Sequence, residues 1–278
     1  MKKAVIFGAG GTGRHIYEMI KNDVDVVAFV DSDNTKWGQY IDTKLIYSPE
    51  YLKTNQIDII YVGTLMGLDE VPYQLKKLDL NYKYEIDKTY VLLSIKSRIK
   101  FAERFAQVAA MQKLEGSVAE AGVYRGEFAK EINRIFPEKK LYLFDTFEGF
   151  TDEDIAKEQK ESLTFANHLK NVNVSETMAK MPHQEKIELK IGRFPETAKG
   201  ITDKFLFVNL DMDLYEPTLG GLRFFYPLMV EGGVILIHDY FNKVYPNIIT
   251  AINDFEKEIG FKLHKMPIGD DISIAIIK

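Results

Sequence analysis

The fold of this chain is decided by the stretch VAEAGVYRGEFAKEINRIFPEKKLYLFDTFEGF, residues 118–150. A short apolar run leads to Glu120 and a glycine-containing turn, a helical segment follows, and a second apolar run, LYLF, ends in Asp145. This order of strand, turn, helix and strand is typical of a nucleotide-binding β-α-β unit.

The two acids of this unit indicate which nucleotide it binds. A carboxylate at Glu120, beside the first strand, disfavours a pyrophosphate but attracts a ligand that carries an ammonium group. Asp145 follows the second strand, where its two oxygens can accept hydrogen bonds from a ribose diol. Because S-adenosylmethionine carries both groups, the pattern favours this cofactor over a dinucleotide.

Two strands further along the chain lead to residues that can bind a metal. The buried run 205–210 is followed by Asp211 and Asp213, and the run VILI is followed by His238 and Asp239. In a doubly wound sheet, ligands collect outside the carboxyl ends of the strands, so these side chains should converge with Glu120 and Asp145 of the β-α-β unit. Oxygen donors are the ligands that Mg²⁺ prefers. The sequence therefore predicts a divalent-cation site, while Asp213 could equally cap the following helix.

The N-terminal segment has a glycine motif of its own. A buried run, AVIF, is followed at once by GAGGTG, which places Gly8, Gly10 and Gly13 in G-x-G-x-x-G register. Asp31 follows the next strand about 20 residues later, where dinucleotide folds have a ribose-binding acid. These residues predict a Rossmann-like domain that binds a nucleotide. The alternative is a purely structural turn.

A helical segment, IKSRIKFAERFAQVAAMQKLEG, separates the two glycine-containing units. Its apolar spacing and final glycine predict a linker helix over residues 95–116 that packs against a domain and carries no chemistry. The predicted architecture is α/β, with a small Rossmann-like domain at 1–94 and a doubly wound domain at 95–278. The apolar stripe of the helix is predicted to contain Ile95, Ile99, Phe105, Val108 and Met111.

Composition and charge limit the class of protein. The chain has 278 residues, of which 46% are hydrophobic, enough for two domains of usual size. A net charge of -5 with dispersed basic residues argues against nucleic acid as a partner. The lack of cysteine fits a cytoplasmic protein, and no run reaches the roughly 18 apolar residues of a membrane span. A homo-oligomer is compatible with the sequence, which does not define the oligomeric state.

Four motifs, E-x-G-V-Y-R-G, DTFEGF, LDMDLYEPT and EGGVILIHDY, together resemble the macrocin O-methyltransferase family. The resemblance covers about residues 95–278 and implies a metal-dependent class I enzyme that transfers a methyl group from S-adenosylmethionine to a sugar hydroxyl. Residues 1–90 resemble the small N-terminal domain of sugar acetyltransferases, where it helps to hold a nucleotide sugar. The pairing implies a role in cell-surface glycan or natural-product biosynthesis.

The resemblance also implies which residues form the site. Asp211 matches the first metal-binding acid of the family, with a direct part in catalysis. Asp239 belongs to a second pair that is usually Asp-Asp, so His238, in the first position of that pair, either coordinates the metal or lies beside it. His168 falls about where family members carry a candidate general base. The residues implied for the cofactor pocket are Glu120, Gly122, Tyr124, Asp145, Thr146, Gly192 and Phe194.

The sequence leaves two other functions open. The acceptor could be a catechol or another non-sugar vicinal diol, which would chelate the same cation. Alternatively, the protein could be a NAD(P)-responsive binding protein, in which GAGGTG senses the dinucleotide and the second domain is inactive. In either methyltransferase hypothesis the cation would lower the pKa of the acceptor hydroxyl.

Overall fold

The structure is a computed structural model, which describes residues 1–64, 67–80, 83–156, 158, 172–242 and 245–278. The described chain is a mixed α/β protein with two sheets, which confirms the predicted fold class. It divides into two compact units, Met1–Ser94 and Ile95–Lys278. Among the described residues, no helix is both long enough and apolar enough to cross a membrane.

The first unit contains a six-stranded sheet. Its strands are β1 (Lys3–Phe7), β2 (Asp25–Val30), β3 (Tyr40–Ile41), β4 (Lys44–Tyr47), β5 (Ile59–Val62) and β6 (Glu85–Asp87). The order is β3-β4-β2-β1-β5-β6, and all neighbours are parallel except β3 and β4. The run AVIF of β1 is buried throughout, as is typical of a parallel strand that is covered on both faces.

The helices of the first unit follow its strands in the order expected of a Rossmann-like domain. They are α1 (Gly11–Ile20), α2 (Tyr51–Thr54) and α3 (Gly67–Lys77). Helix α1 begins directly after the glycine loop, with Gly10 as its N-cap. The loop is therefore a tight strand-to-helix connection, which is the common element of the ligand-binding and the purely structural interpretations.

The long helix α4 (Thr89–Gln112) contains the boundary between the two units and occupies the segment for which a linker helix is predicted. The predicted apolar stripe is wrong in part, since Val108 is 40% exposed and Met111 is 75% exposed. The buried face instead contains two alanines and an arginine, which do not belong to a pattern of large apolar residues. The buried residues of this face are Arg98, Ala102, Phe105 and Ala109.

The second unit contains a seven-stranded sheet. Its strands are β7 (Ser117–Ala121), β8 (Leu141–Asp145), β9 (Ile187–Ile191), β10 (Phe205–Leu210), β11 (Met229–Ile237), β12 (His264–Pro267) and β13 (Ile274–Ile277). The order is β12-β13-β11-β10-β7-β8-β9, and β13 runs antiparallel to both of its neighbours. The other neighbouring strands are parallel.

Helices cover the two faces of this second sheet. They are the C-terminal part of α4 together with α5 (Glu127–Ile135), α7 (Val174–Ala179), α8 (Tyr215–Leu228) and α9 (Asn247–Ile259). The short helix α6 (Asp152–Ala156) follows β8 and has no buried residue. One apolar cluster joins the sheet to α8 and α9, and a second joins its other face to α4 and α5. Burial on both faces explains why the central strands are almost entirely apolar.

Strand β7 lies at the point where the strand order reverses. The chain continues from β7 to β8 and β9 on one side, and then crosses to β10 and β11 on the other. In open α/β sheets the crevice at such a switch point, outside the carboxyl ends of the strands, is the usual place for a ligand. The loops that follow β7, β8, β10 and β11 therefore define the candidate site.

Candidate active site

The backbone is strained after each of these four strands. A non-glycine residue with a left-handed conformation follows each one: Tyr124 (φ 49°), Phe147 (φ 57°), Asp213 (φ 59°) and Asp239 (φ 60°). The left-handed conformation is unfavourable for L-residues and persists only where the surrounding structure stabilises it. Such strained residues are concentrated at functional sites. The strained positions mark the same edge of the sheet as the switch point.

Three of the predicted metal-binding residues meet at this edge. The imidazole Nδ1 of His238 lies 3.0 Å from Oδ1 of Asp211 and 2.7 Å from Oδ2 of Asp239. One ligand atom from each of the three residues can be chosen so that all lie within 4.8 Å of one another. The second oxygen of Asp239 accepts a hydrogen bond from the amide of Asn242 at 2.7 Å. The structure thus brings Asp211 to His238 and Asp239, which lie 27 and 28 positions further along the chain.

Charge pairing sets the protonation of this cluster. Burial lowers the pKa of His238, but the carboxylates of Asp211 and Asp239 outweigh it and raise the pKa to about 10. Burial likewise raises the pKa of Asp239, but His238 and the hydrogen bond from Asn242 hold it at about 2. Burial and repulsion from Asp239 and Asp211 raise the pKa of Asp213 well above its usual value. The lowered pKa values of Asp211 and Asp239 keep both carboxylates ionised, and ionised carboxylate oxygens are donors that suit a divalent cation.

Arg98 is a member of the site that the sequence analysis missed. It projects from α4, is 8% exposed, and donates from Nη1 to Oδ2 of Asp211 at 3.0 Å. Its guanidinium carbon lies 4.9 Å from the centre of the Phe128 ring. The available signal was the spacing of Arg98, Ala102, Phe105 and Ala109, which places the arginine on the core-facing side of the helix.

Glu120, a predicted cofactor ligand, is buried at the carboxyl end of β7. It belongs to β7, is 2% exposed, and accepts a hydrogen bond from the amide of Asn209 on β10 at 2.9 Å. Burial raises the pKa of Glu120 well above its usual value, and the neighbouring Asp211 raises it further. Glu120 lies within β7, one residue before its end. Its contact with the ammonium group of a cofactor stays a prediction.

Asp145 connects the turn after β7 to the end of β8. Its Oδ2 accepts hydrogen bonds from the backbone N–H groups of Val123 (2.7 Å) and Tyr124 (2.8 Å). Its Oδ1 accepts one from the N–H of Phe147 at 2.6 Å. The half-buried carboxylate thus orders two loops of the predicted cofactor site, and a ribose diol would bind to the acceptor capacity that remains.

The predicted cofactor glycines are required by packing. A Cβ on Gly122 would lie 1.8 Å from the carbonyl oxygen of Asp211, and a Cβ on Gly192 would lie 3.0 Å from Cγ2 of Thr197; both glycines have positive φ. Phe194, after β9, packs on an aromatic cluster and stacks on Phe225 with ring centres 5.6 Å apart. Thr146 is half-buried between Asp145 and Phe147. These residues shape the loops, and their contact with a cofactor stays a prediction.

The predicted general base, His168, lies outside the described residues. Near it in sequence, Glu158 is described, and its Oε1 accepts a hydrogen bond from the N–H of Tyr215 at 2.8 Å. Its Oε2 accepts one from the side-chain amide of Asn247. Glu158 therefore contacts the first residues of both α8 and α9, which follow the two acid-bearing loops.

In the first unit, the glycine loop and Asp31 also meet. A Cβ on Gly13 would lie 1.9 Å from the carbonyl oxygen of Gly8, whereas one on Gly10 would meet nothing within 4 Å. Oδ2 of Asp31 accepts a hydrogen bond from the N–H of Ala9 at 2.7 Å and lies 3.0 Å from Nζ of Lys36. The contacts of Gly8, Gly13 and Asp31 are thus internal, and Gly10 borders open space.

Comparison with known families identifies the class of protein. Residues 89–270 match the macrocin O-methyltransferase (TylF) family, and residues 1–86 match the C2185-like N-terminal family. The first match covers more than half of the chain, so the chain belongs to the macrocin O-methyltransferase family. It is an O-methyltransferase, and membership of the family implies S-adenosylmethionine as the methyl donor.

Two solved structures are similar in fold. The O-methyltransferase NovP is 18% identical, with a TM-score of 0.56, and the match covers 66% of this chain and 79% of that one. The calicheamicin methyltransferase CalS11 is 16% identical, with a TM-score of 0.54, and the match covers 77% of this chain and 93% of that one. A comparison with curated protein sequences gives no match.

The N-terminal match corrects one expectation. Residues 1–86 match the C2185-like N-terminal family, and the predicted resemblance to the N-terminal domain of sugar acetyltransferases is not supported. The physical reason is that a strand, a glycine loop and a helix are shared by Rossmann-like domains in general. This pattern does not distinguish one family of such domains from another.

Proposed function

We propose that this O-methyltransferase transfers the methyl group of S-adenosylmethionine to a sugar hydroxyl, assisted by Mg²⁺ or a similar divalent cation, in glycan or natural-product biosynthesis. The observation that carries the proposal is the contact between the cofactor turn and the acid cluster. The N–H of Asp211 donates to the carbonyl of Ala121 at 2.8 Å, and Gly122 follows directly. The turn and Asp211 therefore form one site.

The proposed cofactor pocket surrounds the turn 122–126 and the loops after β8 and β9. Tyr124, Asp145 and Thr146 are partly exposed there, so a cofactor can reach them. Asp145 orders the turn and offers acceptors to the ribose, while Gly192 and Phe194 lie on the adenine side. Glu120, at the carboxyl end of β7, is proposed to attract the ammonium group of the cofactor.

The donor set fits a divalent cation. Asp211 and Asp239 offer carboxylate oxygens, and His238 offers an imidazole nitrogen once its proton is lost. The imidazole makes the set suitable for Mn²⁺ and other transition ions, whereas Mg²⁺ prefers oxygen ligands alone. A bound cation would supply Lewis acidity that lowers the pKa of the acceptor hydroxyl. The acceptor also needs a base, for which His168 stays the candidate.

Cofactor binding is the first test. Calorimetric titration with S-adenosylmethionine should show one site per chain for the native protein, and Asp145→Ala should weaken it at least about tenfold because the turn loses two backbone hydrogen bonds. Asp152→Ala, which removes an exposed carboxylate from α6, is the matched control. Absence of binding to the native protein would remove the proposal.

The acceptor is tested separately with methylation assays on free sugars, nucleotide-linked sugars and catechols, with and without a chelator. The proposal expects methylation of a sugar hydroxyl that stops when the divalent cation is removed. Faster methylation of a catechol would favour the diol alternative. Full activity in the presence of the chelator would exclude the cation but not the methyl transfer.

For the first unit we propose a nucleotide or nucleotide-sugar ligand at the loop between β1 and α1. The support is the open space at Gly10 and the first turn of α1, which has neither a side-chain cap nor an acidic residue, so its N–H groups suit a phosphate. Gly10→Val should be tolerated by the fold but should block UDP-sugar or NAD(P) binding in equilibrium dialysis. If neither class of nucleotide binds the native protein, the loop is a structural turn.

A further inference from the structure

Arg98 is a buried cation in direct contact with the acid cluster. Its side chain is 10% exposed, and its Nη1 lies 3.0 Å from Oδ2 of Asp211. Among the described residues, its Nε has no hydrogen-bond partner. The guanidinium lies over the face of the Phe128 ring, and this contact restricts the conformations of the Arg98 side chain. The contact to Asp211 is therefore made by a group whose position is fixed from α4 and α5.

The two oxygens of Asp211 are used differently because of this contact. Oδ2 faces Arg98, and Oδ1 faces Nδ1 of His238 at 3.0 Å. A carboxylate held in this way can offer one oxygen to a cation, and the other remains hydrogen-bonded. Monodentate binding by Asp211 leaves more of the coordination shell for oxygens of the acceptor.

We propose that Arg98 is a positioning residue that orients Asp211 for the divalent cation, an inference that rests on the proposed function. Stability alone does not account for Arg98. A buried ion pair is often no more stabilising than apolar side chains of similar volume, and the face of α4 that carries Arg98 otherwise consists of Ala102, Phe105 and Ala109. An apolar residue would suit that face, whereas the contact to Asp211 requires a hydrogen-bond donor.

Glu120, which is hydrogen-bonded to Asn209, is a second buried acid that the charge of Arg98 affects. Glu120 lies beside Asn209 in the paired strands β7 and β10, and its Oε2 has no partner among the described residues. Attraction to Arg98 opposes the effect of burial on the pKa of Glu120. The charge of Arg98 therefore acts both on Glu120, near the cofactor turn, and on Asp211, at the cation site.

The experiment is a calorimetric titration of the metal-stripped full-length protein with MnCl₂. The native protein is compared with Arg98→Met, Arg98→Lys and Arg104→Met. Arg104 lies on the exposed face of the same helix, where its Nη1 donates to Gln107 at 2.8 Å, so it controls for the loss of an arginine from α4. Binding of S-adenosylmethionine by each variant reports whether the second unit is folded.

Arg98→Met should weaken Mn²⁺ binding by about 10- to 100-fold, the usual effect of removing a partner of a metal ligand, and Arg104→Met should change it less than twofold. Native-like Mn²⁺ affinity in a Met variant that still binds S-adenosylmethionine would overturn the proposal. If the Met variant does not fold, Arg98→Lys decides. The lysine keeps the charge but not the guanidinium geometry, so Mn²⁺ affinity should fall at least threefold. Native Mn²⁺ affinity in this variant would contradict the proposal. Failure of the native protein to bind Mn²⁺ would instead overturn the cation proposal, and the role of Arg98 with it.

Discussion

Gly122 and the carbonyl of Asp211 approach each other so closely that a Cβ on the glycine would lie 1.8 Å from the carbonyl oxygen. Gly122 follows β7 and Asp211 follows β10, and these two strands flank the switch point. The glycine is thus the place where the cofactor turn and the acid cluster meet. The contact explains why the motif needs a glycine there, independently of any ligand.

Gly122→Ala should destabilise the second unit by about 3 kcal/mol or more, because a left-handed alanine costs about 1–2 kcal/mol and the overlap adds a similar amount. Gly200 is a matched control, since its φ is +83° and a Cβ there would meet nothing within 4 Å. Gly200→Ala should therefore cost only about 1 kcal/mol. Urea denaturation measures the unfolding free energy of both variants. Equal losses of stability would show that the close approach of Gly122 to Asp211 does not exclude a side chain at position 122.

Asp239→Asn should lower the rate of methyl transfer on the order of 100-fold while cofactor affinity is retained. The amide has the shape of the carboxylate but loses the charge that faces His238 at 2.7 Å. Single-turnover assays at saturating S-adenosylmethionine measure the effect. Glu231→Gln, which removes an exposed acid near the amino end of β11, should be unchanged, and a comparable loss in that variant would point to a general effect of charge.

Cation binding should release a proton from His238. Its pKa of about 10 means that the imidazole is protonated at pH 7, and a cation can bind the ring only after that proton leaves. Affinity for Mn²⁺ should therefore rise with pH between 6 and 8. Calorimetry in buffers of different ionisation enthalpy should count about one proton released.

His238→Gln should abolish this release, whereas His264→Gln, an exposed histidine on β12, should not. Equal proton release from both variants would show that His238 is not the group that loses the proton.

Glu256 should make the second unit sensitive to acid. Burial raises the pKa of this carboxyl, but hydrogen bonds from Lys262, Lys265 and the N–H of Leu263 outweigh burial and hold it at about 2. A depressed pKa in the folded state contributes stability above the unfolded value of 4.5, which is lost as the pH falls toward 2.

Between pH 7 and pH 3 the native protein should therefore lose about 2 kcal/mol of unfolding free energy more than Glu256→Gln. Denaturant titrations at the two pH values measure the difference. Glu115→Gln, whose native side chain is 85% exposed, should behave like the native protein. Parallel losses in the native protein and Glu256→Gln would show that the buried cluster does not set the acid response.

Much of the fold was predictable because its signals are local. Buried strands such as β1 and β10 are continuous apolar runs, and the turns after them contain glycines or acids. The convergence of Asp211, His238 and Asp239 was also predictable, since parallel strands bring their carboxyl ends to one edge. His168 lies outside the described residues, so its role as a base stays a prediction.

The roles of Glu120 and Arg98 were not predictable from local patterns. The sequence places Glu120 at the end of an apolar run, but the last residue of β7 is Ala121, and pairing with β10 turns the carboxylate toward Asn209 in the interior. Arg98 looks like one of many charges on an amphipathic helix. Only the packing of α4 on the sheet shows that it is buried against Asp211.

The sequence by itself determined the α/β class, the strands and the order of the acids along the chain, because apolar runs, glycine turns and strand-end acids are encoded within a few residues of one another. The tertiary structure alone decided which acids are solvent-facing and which are buried, and which cation faces Asp211. Burial and ion pairing depend on strand register and on helix packing, which join segments that are distant in the chain. Arg98 and Asp211, for example, are 113 positions apart. Short-range patterns can place a residue on the core-facing side of a helix, but they do not show which distant residue it contacts.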